Sequence, residues 1–174
     1  MAFETFVLRE RPVLSIVSAV RTGFAEMPIP ELNSEGLLPQ GLFDCELHEV
    51  RVRFGVFSGS DRRPQLFTRL EELVRSMRLS GLFEELILDG SFVTSKDQPN
   101  DIDLIAILRA EHNFERDLPM SEYALVSRPL LRRRFGFDVV VAERDSGLYR
   151  MYVEFFGRVR EAPELRKGLL RVRL

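Results

Sequence analysis

The chain has 174 residues, 45% of them hydrophobic and 30% charged, with a formal net charge of −2. This is long enough for one domain with a substantial core, and it excludes a disordered, collagen-like or coiled-coil chain. The single cysteine, Cys45, excludes an internal disulfide framework and a cysteine zinc site. With no secretory signal visible, the reducing cytoplasm is the expected compartment.

Residues 1 to 26 show no clear periodicity and are read as an N-terminal extension. Their apolar run, Val13 to Val20, is too short to span a membrane and is flanked by Arg11 and Arg21. A single domain is expected over 27–174, with Met27 a candidate start and a proline-punctuated lead-in running to Gly41. Asp44 offers an N-cap to a short helix carrying Leu47, Val50 and Phe54 on one stripe, which Gly55 ends. His48, on that helix, has no partner at metal-ligand spacing. The longest predicted helix follows. Ser60 or Asp61 caps it, Pro64 suits its first turn, and Leu66, Leu70, Leu73, Val74 and Met77 recur at helical spacing up to Ser80-Gly81.

The centre of the chain is an apolar strand at Glu85 to Asp89, a Gly90-Ser91 turn, a polar loop from Phe92 to Asn100, and a second strand at Asp101 to Leu108. Alternation puts Asp101 and Asp103 on one face, roughly 7 Å apart. Ile105 and Ile107 continue that face, and Ile102, Leu104, Ala106 and Leu108 fill the other, the pattern of a strand buried on both sides. Two carboxylates fixed together repel unless a cation lies between them, and Mg²⁺ favours such oxygen ligands. Gly90 allows close backbone approach, Ser91 adds a hydroxyl and an amide, and Lys96 in the loop is a candidate phosphate contact.

Further on, Ser121 to Arg134 reads as a helix that Pro129 breaks or kinks, giving one bent helix or two short ones. Phe135 to Ala142 reads as a third strand whose only charge is Asp138. A lone buried carboxylate is costly unless paired or metal-bound, so Asp138 is the candidate third acid. The last stretch alternates Leu170, Val172 and Leu174 with Arg171 and Arg173, an edge-strand pattern. Residues 121 to 174 hold 12 Lys or Arg against 7 Asp or Glu, a balance suited to an anionic ligand held between metal and arginines.

The Gly90-Ser91 turn, the Asp101-Ile-Asp103 pair and Asp138 together resemble the nucleotidyltransferase fold of the DNA polymerase beta superfamily. The wording from Asp89 to Lys96, from Pro99 to Asp103 and at Lys167-Gly168 is most similar to short, stand-alone members of that superfamily. The resemblance implies an α+β (α/β) fold, a small mixed β-sheet backed by helices, with the long helix behind the catalytic sheet. It implies a Mg²⁺- or Mn²⁺-dependent transfer of a nucleoside monophosphate from a nucleoside triphosphate to a hydroxyl of a protein or tRNA. Asp101, Asp103 and Asp138 would be the catalytic metal ligands, and Gly90, Ser91, Lys96 and Lys167 the phosphate contacts. Similar small members act in toxin–antitoxin or defence pairs, which implies a partner protein; no membrane is expected, since no apolar run is long enough to span one. Three such acids gathered without metal imply that at least one titrates above its usual range. The alternative is a catalytically inactive binding or regulatory module on the same fold, because no acceptor-binding domain follows the core.

Overall fold

The expected long helix is α2, Arg62–Ser80, and it sets the scaffold. Its five periodic apolar residues are all buried, Asp61 precedes it, and Gly81 ends it in the left-handed region at φ 64°. This computed structural model describes residues 29–160 and 162–174. The extension at 1–26 and the candidate start at Met27 lie outside the described residues. A shorter helix, α1, spans Leu47–Phe54. Asp44 does not cap it. Glu46 does, its backbone N–H donating to the Glu49 carboxylate at 2.6 Å.

Asp44 belongs instead to a strand that the residue pattern hid, β1 (Leu42–Cys45). The other strands of the main sheet are β2 (Phe83–Asp89), β3 (Asp103–Leu108), β4 (Asp138–Glu143) and β7 (Leu169–Arg173). Their order is β1-β7-β2-β3-β4. β7 runs parallel to β1 and antiparallel to β2, β2 is antiparallel to β3, and β3 is parallel to β4. A second sheet pairs β5 (Arg158–Val159) with β6 (Ala162–Arg166). The chain is thus a mixed α+β fold, as expected.

β7 is not an edge strand. It lies between β1 and β2, because Arg171 has partners there: its Nη2 donates to Asp44 Oδ2 at 2.9 Å, and its Nε stands 3.8 Å from Glu85 Oε1. Arg144 reaches the same Glu85 oxygen at 2.7 Å. Buried charge is tolerated only when paired in this way.

The two faces of β3 divide as the alternation predicts. Leu104, Ala106 and Leu108 pack with α1, α2, α3 (Met120–Val126) and α4 (Arg128–Phe135), whereas Ile105 and Ile107 pack under α5 (Gly147–Phe156). α3 and α4 fill the crossover that a parallel β3–β4 pair requires. The break falls at Ser127, with Pro129 at the second position of α4, where its missing N–H costs nothing. Phe135 and Gly136 close α4 rather than open the third strand, which begins at Asp138. α5, unassigned from sequence, has no fully buried residue, and it exposes Leu148, Met151 and Phe155.

The polar loop between β2 and β3 is fastened from behind by the first turn of α2. Arg63 is buried, and its guanidinium donates to four backbone carbonyls: Phe54 at 3.1 Å, Phe92 at 2.8 Å, Thr94 at 2.7 Å and Lys96 at 2.6 Å. It also stacks on the rings of Phe54 and Phe92. The exposed neighbour Arg62 donates to the carbonyls of Pro99 and Asn100. Removing Arg63 strands four carbonyls, so Arg63→Met is expected to lower the unfolding free energy in urea by about 3 kcal/mol or more, and Arg62→Met by about 1 kcal/mol or less. Equal small losses would show that the loop does not depend on the buried guanidinium.

Candidate functional site: a row of carboxylates at the mouth of a pocket

Strand register places three aspartates side by side. Asp89 ends β2 opposite Asp103, and Asp103 opens β3 opposite Asp138 of β4. Paired residues on neighbouring strands project to one face, here the α5 face, with side chains about 5 Å apart at the β-carbon. Asp101 lies two residues before β3, exposed and outside the strand; its place beside Asp103 is therefore set by the loop rather than by strand alternation. All four line one pocket of about 820 Å³, with Gly90, Ser91, Lys96 and Lys167.

The four environments differ. Asp89 is 3% exposed, and the ammonium of Lys167 sits 2.7 Å from its Oδ1 without making a directed hydrogen bond there. Burial holds the Asp89 carboxyl above its usual range, and Lys167 opposes this. Lys167, expected as a phosphate contact, thus already has a carboxylate partner. Gly168 makes this possible: its amide donates to the Leu38 carbonyl at 3.0 Å, and a Cβ there would stand 2.2 Å from the Pro39 carbonyl oxygen.

Asp103 is half-buried, and among the described residues no group donates a hydrogen bond to it. Burial, then Asp101, then Asp89 push its carboxyl up to about 6. Of the three acids expected to crowd one another, Asp103 is the one pushed up, with burial as the first cause, whereas Asp138 is held down by Arg128. Asp138 departs from the lone buried carboxylate read in the sequence. It is partly exposed, and Arg128 grips it with Nε to Oδ1 and Nη2 to Oδ2, each at 2.6 Å. That guanidinium holds Asp138 below the ordinary carboxylate range.

Gly90 adopts φ +87°, and a Cβ built on it would stand 3.0 Å from Asp103 Oδ2 and 3.1 Å from Asp103 N. Its freedom is used to bring Asp103 close to the turn. Ser91 Oγ accepts from the Asn100 amide at 3.2 Å, which ties the loop's end to its beginning and sets Asp101 beside the turn. Lys96 is exposed and lines the pocket while its carbonyl is held by Arg63. The remaining wall includes Tyr152, Phe155 and Phe156 of α5 and Arg158 and Arg160 beyond it.

Sequence reading missed Asp89, Arg128 and the aromatic end of α5. The first had a signal, since Asp89 is a charge at the end of an otherwise apolar strand. The second had none, because a helix-terminal arginine and a strand-terminal aspartate ten residues apart meet only after the crossover folds. Among the described residues, no three His, Cys, Asp or Glu side chains are gathered as a ready metal cluster, and no helix is long and apolar enough to cross a membrane.

The chain belongs to the family DUF6932, a family of unknown function, which matches it over residues 30–173. No curated protein and no solved structure matches it.

Two outcomes follow from the electrostatics. The folded pKa of Asp103, about 6, lies above its unfolded value of about 3.9, so the folded state holds this proton more tightly. The stability it contributes is present below about pH 4 and is lost as pH rises through about 6. In metal-free buffer, the stability of Asp103→Asn relative to the wild type is therefore expected to climb between about pH 4 and pH 7 and then level off. A flat difference in urea melts across that range would place Asp103 in open solvent. Secondly, Lys167→Met leaves Asp89 buried without its cation and is expected to destabilise at pH 7 by roughly 3 kcal/mol. Adding Asp89→Asn should recover most of that loss, and additive losses would show the two side chains to be uncoupled.

Proposed function

We propose that this chain is a Mg²⁺- or Mn²⁺-dependent nucleotidyltransferase that passes a nucleoside monophosphate from a nucleoside triphosphate to a hydroxyl of a protein or RNA. The observation that carries the reading is Asp103. It is a half-buried carboxylate without a hydrogen-bond donor, crowded by Asp89, Asp101 and Asp138 beside a Gly-Ser turn. Such an arrangement is unfavourable by itself and is relieved by a hard cation.

The donor set fits that cation in kind, since Asp101, Asp103 and Asp138 offer only carboxylate oxygens at the pocket mouth. When bound, divalent ions would supply charge neutralisation for the attacking and leaving oxygens. The chain's own residues have the task of alignment. Ser91 and Lys96 would meet the triphosphate, and Arg158 and Arg160 would add positive charge at the pocket wall. Lys167 would act indirectly, by neutralising Asp89 so that the row does not carry a further full charge. Tyr152, Phe155 and Phe156 present ring faces and edges on which a nucleobase can stack. The pocket volume suits a ligand of nucleotide size. In the reaction, the acceptor oxygen bonds to the alpha-phosphorus, the bond from that phosphorus to the bridging oxygen breaks, pyrophosphate leaves with that oxygen, and the acceptor's proton passes to solvent.

One observation favours the second reading, an inactive binding module: Arg128 occupies the Asp138 carboxylate. Incubation with each alpha-labelled triphosphate, Mg²⁺ or Mn²⁺ and cell lysate separates the two. Label on protein or RNA is expected from the wild type, reduced more than about a hundredfold in Asp103→Asn, a variant expected to fold because it removes a crowded charge. Nucleotide binding by calorimetry with no labelled product under any condition supports the module; neither binding nor transfer would sink both readings.

A further inference from the structure

We propose that Arg128 is a charge-exchange latch, which neutralises Asp138 in the free protein and passes to the phosphate oxygens of the nucleotide when a divalent cation takes that carboxylate. Cation and nucleotide therefore bind cooperatively, and each binds weakly alone. This rests on the nucleotidyltransferase reading and adds to it the regulation of the same site.

The geometry is that of a two-pronged fork. Each oxygen of Asp138 accepts from one guanidinium at 2.6 Å, which occupies the side between the two oxygens and sets a positive charge against the carboxylate, so a cation chelated there must displace Arg128. The displacement is affordable because the pair is not in the core: the Arg128 side chain is 60% exposed and the Asp138 side chain 32%. Pairs so exposed are held by about 1 kcal/mol or less, roughly a fivefold effect on an equilibrium. Arg128 also lines the pocket itself, so once displaced it remains beside whatever anion the pocket holds. A guanidinium fork matches two phosphate oxygens as well as it matches a carboxylate. The exchange leaves neither charge unpaired only when both ligands are present, and by linkage each must then tighten the other by the same factor. Arg132, one turn along α4, also lowers the Asp138 pKa through its field but makes no hydrogen bond to it, and so separates contact from field.

The test uses the full chain, following free Mn²⁺ by electron paramagnetic resonance and the binding of inorganic tripolyphosphate by calorimetry, each alone and together. The wild type is expected to bind each alone weakly. Arg128→Gln, which removes an exposed pair and should fold, is expected to bind Mn²⁺ alone about fivefold more tightly and tripolyphosphate more weakly, with the mutual tightening reduced. Association of the two probes in solution is common to all variants and drops out of the comparison. Arg132→Gln should stay near the wild type in Mn²⁺ affinity. Unchanged or weaker Mn²⁺ binding in Arg128→Gln, or an equal gain in Arg132→Gln, overturns the latch while wild-type binding of Mn²⁺ and tripolyphosphate leaves the nucleotidyltransferase reading standing. Mn²⁺ binding by no variant overturns both.

Discussion

One buried guanidinium underlies the front of this molecule. Arg63 has no carboxylate partner within ion-pair distance among the described residues, and it is stabilised by four converging carbonyls and two aromatic rings. Those carbonyls come from the end of α1 and from the loop between β2 and β3. A connection of thirteen residues, most of them polar, would ordinarily be free to move over the surface. Here its first half is bonded to the same helix that forms the back of the sheet. The turn at Gly90-Ser91 and the approach to Asp101 are therefore set by α2, a rigid element, rather than by the loop's own preferences.

That fastening matters because the charges in front of it are graded by position. Strand register alone gives three equivalent aspartates in a row. Tertiary neighbours then make them unequal. Asp89 at the inner end has an ammonium, Asp138 at the outer end has a guanidinium, and Asp103 between them has no donor. Burial and the neighbouring carboxylates push the middle acid up, while the Arg128 guanidinium holds Asp138 low. Adjacent carboxylates pushed in opposite directions are a mark of sites in which one group responds to a ligand while its neighbour stays charged.

The same logic of distant pairing explains which elements were legible from the residues. α2 was legible to within a residue or two because helical spacing, a cap and a terminal glycine agree over 19 residues. The two buried faces of β3 followed from alternation, and the break at Ser127 followed from Pro129. Asp44 and Arg171 went the other way. Each looked like surface chemistry, a helix cap and an edge-strand charge, because each was judged against its neighbours in sequence. They are neighbours of one another across 127 residues, and their pairing admits β7 to the sheet interior. α5 went unassigned although Tyr149, Tyr152, Val153 and Phe156 recur at helical spacing and pack as one stripe against the sheet.

Local patterning thus decided the positions of the main helix and the central strands, which depend on periodicities of two and 3.6 residues that a linear sequence carries in full, whereas the α+β class and the grouping of Gly90, Ser91, Asp101, Asp103 and Asp138 as a candidate set came with the resemblance. Neither could decide which cation stands beside which carboxylate. Lys167 was read as a ligand contact and is bound to Asp89; Asp138 was read as awaiting a metal and is held by Arg128. Side-chain pairing depends on sheet register and on crossover length, and both are settled only when elements far apart in the chain pack against one another.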